Sequence, residues 1–352
     1  MKVVHLLPAL EQGGVETVVC DLVRALSRRE QGTGNREQWE SVVVSKGGRL
    51  VERVEAAGGR HVALDLKSKN PLTYFSRVWK LRRILREEKP DLVCVHSRVP
   101  AWLFVWANRG LGLRWISYAH GANSVSHYSE VMTKGNLVIV PSQFLADYLK
   151  ANYGTSERKI RVIPNSVDAE RFNPDNLDQA FIIEKRREWG IQEGDRVLMA
   201  IGRITPVKGL DNLIRTLPSG VKLVIVGGAD KHHQKYLESL KKLTSTLHLH
   251  LQPTTSVIFA GPQEKIPECI SIADEVVSAN TTKPETFGLS VVEAYAMNKP
   301  VRAKRFGGVA EVMEAVERAG KPTLREAALS LYGLDRQAER TRIVYREALD
   351  MI

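Results

Sequence analysis

Short apolar runs alternate with longer amphipathic segments along almost the whole chain, and few folds accommodate that alternation. Residues 3–7 form an apolar run, followed by Gly13-Gly14 and then by Val15, Val18, Val19, Leu22, Val23 and Leu26 at helical spacing. That reads as strand, glycine loop, helix. The pattern recurs with strands at 41–44, 92–95, 115–118, 137–140 and 161–163 and helices at 50–57 and 75–88. After Pro164-Asn165 comes a polar stretch, and the alternation restarts with strands at 197–201, 222–226, 256–259 and 275–277. Each series implies a parallel, doubly wound sheet. A chain of 352 residues is long for one core. We therefore expect two α/β domains, residues 1–165 and 166–335, with a closing helix at 336–352 and a cleft between the domains.

The hydrophobic fraction, 43%, is that of an ordinary globular protein. Cys20, Cys94 and Cys269 are odd in number and far apart, which reads as buried reduced thiols rather than disulfides or a zinc site. The first residues have one charge, a run broken by His5 and Pro8, and no small-residue cleavage site, so they read as a strand. No stretch is long and apolar enough to span a bilayer. The expected location is cytoplasmic, with any membrane contact peripheral. The net charge of +11 is uneven: residues 1–165 hold 25 Lys/Arg against 15 Asp/Glu. Such a half faces a polyanion, whether nucleic acid, anionic lipid or a phosphorylated saccharide.

Ligands of open α/β sheets bind beyond the carboxyl ends of the strands, so residues just after each apolar run are the first candidates. Gly13 and Gly14 stand between strand and helix, where bare backbone admits a phosphate or sugar and a helix N-terminus favours an anion. A plain tight turn uses glycine in the same way. Arg203 and Lys208 follow the strand at 197–201, as cations suited to a pyrophosphate or as ordinary solvated charges. The segment 284–300 predicts a helix starting near Gly288, where the amides of Phe287, Gly288 and Leu289 can hold a phosphate. Glu285, in the loop before it, can accept hydrogen bonds from a sugar, and Glu293 can reach ribose hydroxyls. Dipole compensation and a wet helix face explain the same two carboxylates without a ligand.

His96 and His120 each end an apolar strand, which converges two imidazoles on one crevice or simply supplies two structural histidines. No close-spaced His/carboxylate cluster argues for a metal. Arg77, Lys80, Arg82, Arg83 and Arg86, followed by Trp102, Phe104, Trp106, Arg109, Arg114 and Trp115, mix bases with aromatics. One reading is a basic helix face over buried aromatics. The other is a surface that lies on anionic lipid headgroups.

Taken in order, these pieces resemble the large family of retaining glycosyltransferases often numbered family four, with the two-domain fold called GT-B. The matching residues are Gly13-Gly14-Val15-Glu16, His96-Ser97, His120-Gly121, Val140-Pro141-Ser142, Ile163 through Asp168, Gly202-Arg203 with Lys208-Gly209, and Glu285 through Glu293, the family's Glu, seven residues, Glu signature. The resemblance implies two Rossmann-like domains facing a deep cleft, the first for the acceptor and the second for a nucleotide-sugar donor. It implies that Arg203 and Lys208 neutralise the donor diphosphate together with Gly14 and the Phe287, Gly288 and Leu289 amides, and that Glu293 holds the ribose. Glu285 and His120 would be catalytic residues at the sugar, while Gly13 and His96 line the acceptor side. No cofactor or metal is implied, and UDP is the favoured carrier.

The expected reaction is metal-independent transfer to a hydroxyl of a glycan or lipid-linked acceptor with retention, in bacterial lipopolysaccharide or other cell-surface polysaccharide synthesis. The expected partners are donor, acceptor and an anionic membrane surface, not nucleic acid. The alternatives are a nucleotide-sugar epimerase or phosphorylase of the same fold, or a non-enzymatic polyanion-binding module. One departure stands out: after Gly307-Gly308-Val309-Ala310-Glu311 the family continues with a Gly-rich loop and an apolar strand. Here the chain passes directly into residues 316–320, so the segment looks shortened.

Overall fold

The computed structural model describes residues 1–11, 13–27, 39–248, 255–280 and 283–351. Ile352, the last residue of the expected closing helix, lies outside them. The chain divides into two units, Met1–Ser166 with Leu334–Ile352, and Val167–Gly333.

The first unit is built on seven parallel strands, β1 (Lys2–Leu6), β2 (Glu40–Ser45), β3 (Arg60–Ala63), β4 (Leu92–Val95), β5 (Trp115–Tyr118), β6 (Leu137–Val140) and β7 (Ile160–Val162). Their order is β3-β2-β1-β4-β5-β6-β7. β4, β5 and β6 are buried at every position, because helices cover both faces of a parallel sheet. The helix Gly14–Ser27 buries Val18, Val19, Leu22, Val23 and Leu26 along one stripe. The last helix, Leu334–Asp350, packs Val344, Tyr345 and Ala348 into the core beside Val3, Leu22 and Cys94. The Tyr345 hydroxyl lies 3.2 Å from that of Tyr118.

Several motif residues hold the frame itself. Ser142 caps the helix Gln143–Tyr153 by accepting from the Leu145 amide, and Gly154 ends it with φ of 60°. Ser166 donates to Gln337 Oε1 of the last helix at 2.6 Å. Asp168, in the second unit, accepts from the Glu170 amide and shapes the turn that opens that unit.

The second unit carries β8 (Arg196–Ile201), β9 (Val221–Val226), β10 (Ser256–Gly261), β11 (Glu275–Ser278) and β12 (Val301–Ala303), all parallel, in the order β10-β9-β8-β11-β12. Its larger core joins Phe287, Val291, Val292, Tyr295, Val309 and Tyr332. Among the described residues no helix is long and apolar enough to cross a membrane.

Both units are doubly wound α/β folds, as the alternation implies. Several elements are absent from the sequence expectation, the helices Gln143–Tyr153, Gln179–Glu188, Gln234–His248, Ile266–Ile272 and Leu324–Tyr332 among them, and for three others the reason is plain. β3 and β12 are edge strands with no fully buried position, so they carry no apolar run. The helix Arg98–Ala107 is apolar almost all round, which hides its 3.6-residue period. The segment expected to be shortened is also clearer: Glu311 lies inside the helix Gly308–Arg318, a second helix, Leu324–Tyr332, follows, and the nearest strand, β12, precedes Gly307.

Candidate functional site

Each sheet reverses its strand order once, and the crevice beyond the strands' carboxyl ends at that point is where such folds take ligands. In the second unit the reversal lies between β8 and β11. Arg203 and Lys208 follow β8 and Asn280 follows β11. They rim a shallow recess walled by Ala200, Leu210, Ile225 and Val277.

Glycines shape this recess. Gly227 has φ of 145°, and a Cβ there would stand 1.9 Å from the Gly202 carbonyl oxygen, so the ends of β8 and β9 meet backbone to backbone. Gly202 has φ of 141° and donates to the Val226 carbonyl at 2.9 Å. Arg203 next to it is exposed, whereas Asn280 is buried with its Oδ1 lacking a partner among the described residues.

Lys208 Nζ donates to Glu285 Oε1 in a partly exposed ion pair. The loop carrying Glu285 is clamped from behind. Its carbonyl accepts from the Gly308 amide at 2.8 Å, and a Cβ on Gly308 would stand 2.2 Å from the Thr286 oxygen. Phe287 turns inward and packs edge-on against Tyr332, ring centres 5.6 Å apart. Gly288, at φ of 91°, opens the helix Leu289–Ala296, and Val309 Cγ2 leaves no room for a side chain on it. Glu293 is half-buried on that helix. Arg203 and Lys208 thus share the recess, and Lys208 joins it to the loop of Glu285. Cations, a carboxylate and a helix N-terminus in one place are equipped to hold a phosphorylated sugar.

In the first unit the reversal lies between β1 and β4. Gly13 and Gly14 follow β1 and lead into the helix Gly14–Ser27, and among the described residues a Cβ on Gly14 meets nothing within 4 Å. His96 follows β4 and His120 follows β5. His96 Nδ1 lies 3.0 Å from His120 Nε2, and His96 Nε2 lies 3.1 Å from His5 Nδ1 on β1. The His96 ring also stacks on Tyr118 at 4.7 Å. Burial pushes His5 down to about 3 and His120 to about 4 and holds His96 well below the ordinary imidazole range, so the three rings are neutral at pH 7.

The sequence reading pairs His96 with His120 but passes over His5, Asn280 and the Gly307-Gly308 clamp. His5 had a visible signal, since it interrupts an apolar run in a strand, and Asn280 follows a strand end.

The structure divides the basic and aromatic stretch. Phe104 and Trp115 are core, and Arg77 is buried, donating to the carbonyls of Ser68, Asn70 and Thr73. Arg82 donates to the carbonyls of Ala107 and Arg109. What stays outside is Lys80, Arg83, Arg86 and Arg109 together with an apolar cap: Leu72 (91% exposed), Phe75 (68%), Trp79 (62%) and Trp106. The Arg109 guanidinium lies 3.7 Å from the centre of the Trp106 ring, and Arg83 lies 5.5 Å from that of Trp79.

Comparison with known proteins bears on both units. The profile of Glycosyltransferase Family 4 matches residues 12–171, and that of Glycosyl transferases group 1 matches residues 181–323. A lipopolysaccharide 1,2-N-acetylglucosaminetransferase of Salmonella typhimurium is 28% identical over 253 residues, 69% of this chain. The match spans 62% of that relative's length, under two thirds. Among solved structures, a glycosyltransferase from Rickettsia africae has a TM-score of 0.79 at 22% identity, covering 100% of this chain and 99% of that one. HepE from Anabaena, in complex with UDP and glucose, has a TM-score of 0.78 at 19% identity, covering 98% of this chain and 99% of its own. At those identities the likeness shows the fold.

Proposed function

The chain belongs to glycosyltransferase family 4, with a GT-B fold and a second unit of the group 1 type, and from that premise we propose that it is a retaining, metal-independent glycosyltransferase. The observation that carries this reading is the Lys208–Glu285 pair beside Arg203, set against the helix at Leu289–Ala296. A nucleoside diphosphate would exchange partners with that pair. Lys208 and Arg203 turn to the diphosphate, Glu285 accepts from sugar hydroxyls, the Phe287, Gly288 and Leu289 amides face a phosphate oxygen, and Glu293 holds the ribose. From the first unit we assign Gly14 to the diphosphate, Gly13 and His96 to the acceptor, and His120 to the sugar. UDP is the favoured carrier, since HepE was solved with UDP and glucose.

In the reaction the bond from the anomeric carbon to the diphosphate oxygen breaks, and a bond to the acceptor oxygen forms on the same face. The acceptor's proton passes to the departing phosphate oxygen. The cations and amides stabilise the charge that develops on the diphosphate, the kind of preorganised effect that is often the largest catalytic contribution. The acceptor class is a cell-surface glycan or its lipid-linked precursor, as in the lipopolysaccharide enzyme of Salmonella. Turnover and donor affinity of Lys208→Ala and Glu293→Ala test the site, and unchanged values for both sink it. Activity should survive a chelator, and a thermal-shift screen of UDP, GDP and ADP identifies the base. A saturating ligand at a hundred times its dissociation constant adds about 2.7 kcal/mol.

A second reading concerns the outer face of the first unit, which we propose lies on anionic lipid headgroups. Leu72, Phe75, Trp79 and Trp106 supply the apolar and aromatic contact. Residues 67–114 hold 11 Lys/Arg against three Asp/Glu, which gives the attraction. Cosedimentation with phosphatidylglycerol vesicles should be strong at low salt, weak at high salt and reduced by Trp79→Ser. No binding at low salt removes this reading.

A further inference from the structure

Neutral imidazole has one nitrogen that donates and one that accepts. Two successive ring-to-ring bonds, His5 to His96 and His96 to His120, must therefore run in the same sense. Opposed senses would leave His96 either doubly protonated in a buried site or stripped of both protons. In one sense, His5 Nδ1–H donates to His96 Nε2 and His96 Nδ1–H donates to His120 Nε2, so His120 keeps its own proton on Nδ1. In the other sense every bond reverses, and the last proton ends on His5 Nε2.

His5 Nε2 decides between them. It is buried and has no hydrogen-bond partner among the described residues. Its register neighbours on the adjoining strands are Val43 and Cys94, both buried. A stranded N–H in such a place is rarer and costlier than an unused lone pair. We propose that His5 and His96 are positioning residues that fix the tautomer of His120, so that His120 carries its proton on Nδ1 and meets the transferred sugar as a hydrogen-bond donor, not as a base.

The role at the sugar rests on the proposed transferase reading; the tautomer does not. It also agrees with the direction of the reaction, because a donor at that position leaves the acceptor's proton to the departing phosphate.

The test is long-range 1H–15N correlation of the histidine rings in the full chain without ligand, with His120 assigned from the spectrum of His120→Gln. His120 should show a protonated Nδ1 and an unprotonated Nε2 at neutral pH. A proton on Nε2 overturns the proposal, whatever the protein catalyses. Two variants then connect tautomer to turnover. His5→Phe removes the donor to His96 and should give mixed His120 tautomers, with kcat lowered about tenfold, the scale of one hydrogen bond, and donor KM within about twofold. His5→Gln, which keeps an N–H toward His96, should restore both. An unchanged His120 tautomer in a folded His5→Phe also overturns the proposal. If the transferase reading alone is wrong, the spectra keep the Nδ1 tautomer while Lys208→Ala and Glu293→Ala leave activity where it was.

Discussion

The recess beyond β8 and β11 and the histidine chain at the carboxyl ends of β1, β4 and β5 stand at corresponding edges of two similar sheets, yet they handle charge in opposite ways. The first keeps its ions. Arg203 is exposed and the Lys208–Glu285 pair is partly so, which lets water or a ligand exchange with either partner. The second lies further inside, where burial removes the charge from His5, His96 and His120 and leaves only the placement of protons. One repeated architecture therefore carries a partly exposed ion pair in one unit and buried neutral rings in the other. Desolvation, not topology, separates them.

The largest effect should come from the charged side. Lys208→Ala leaves Glu285 without its cation and, if the proposed role holds, removes a stabiliser of the leaving diphosphate. On the proposed mechanism turnover should fall by about 10²–10³-fold, the usual loss when one such group is deleted. The thermal midpoint should hardly move, because a partly exposed ion pair contributes little to folding. Steady-state kinetics and melting on the same preparation check both halves. A large loss of stability with normal turnover would make the pair a structural strut and break the contrast between the two regions.

The neutral side should respond to pH instead. The folded-state values of the three histidines lie below the ordinary value near 6.5, so the unfolded chain binds more protons as pH falls. Stability linked to these rings is therefore complete above pH 6.5 and lost as pH drops toward 4 and then 3. For a fully buried ring such as His5 the slope is about 1.4 kcal/mol per pH unit below 6.5. Urea unfolding between pH 7 and pH 5 should show that decline, and His5→Phe should flatten it. A pH-independent midpoint in the wild type would mean that the histidines are not held neutral by burial.

The two regions also differ in how far the sequence reveals them. At the recess Arg203 and Lys208 are legible because they follow an apolar strand, the neighbouring segment from Glu285 to Glu293 because it is contiguous, and Asn280 is not. The histidine chain is legible only at His96 and His120. His5 lies about ninety positions upstream of its partner, and only the pairing of β1 with β4 brings them together. The Gly307-Gly308 clamp is hidden for a similar reason: its role is to fit against Pro284, Glu285 and Thr286, and a sequence does not show which backbone a glycine approaches. Edge strands without apolar runs were invisible for want of burial, as β3 and β12 illustrate.

At Gly307, φ is 64°, and a Cβ would stand 2.5 Å from Pro284 Cβ and 2.7 Å from the Glu285 carbonyl oxygen. Gly307→Ala adds left-handed strain and an overlap with backbone, together about 2–4 kcal/mol. Its melting temperature should drop, and turnover with it, since the loop that moves carries Glu285.

Gly14 offers the smallest effect on folding and a clear decision between its two sequence readings. A Cβ there meets nothing within 4 Å among the described residues, so Gly14→Ala should change stability by no more than about 0.5 kcal/mol. If the residue is glycine so that a diphosphate can approach the start of the helix, the added methyl group takes up that space. Donor KM should then rise while the melting curve stays in place. If the residue is glycine only because the turn is tight, neither quantity moves. Donor titrations of Gly14→Ala beside wild type separate the two outcomes, and an unchanged KM would withdraw Gly14 from the diphosphate site while leaving Arg203, Lys208 and Glu285 untouched.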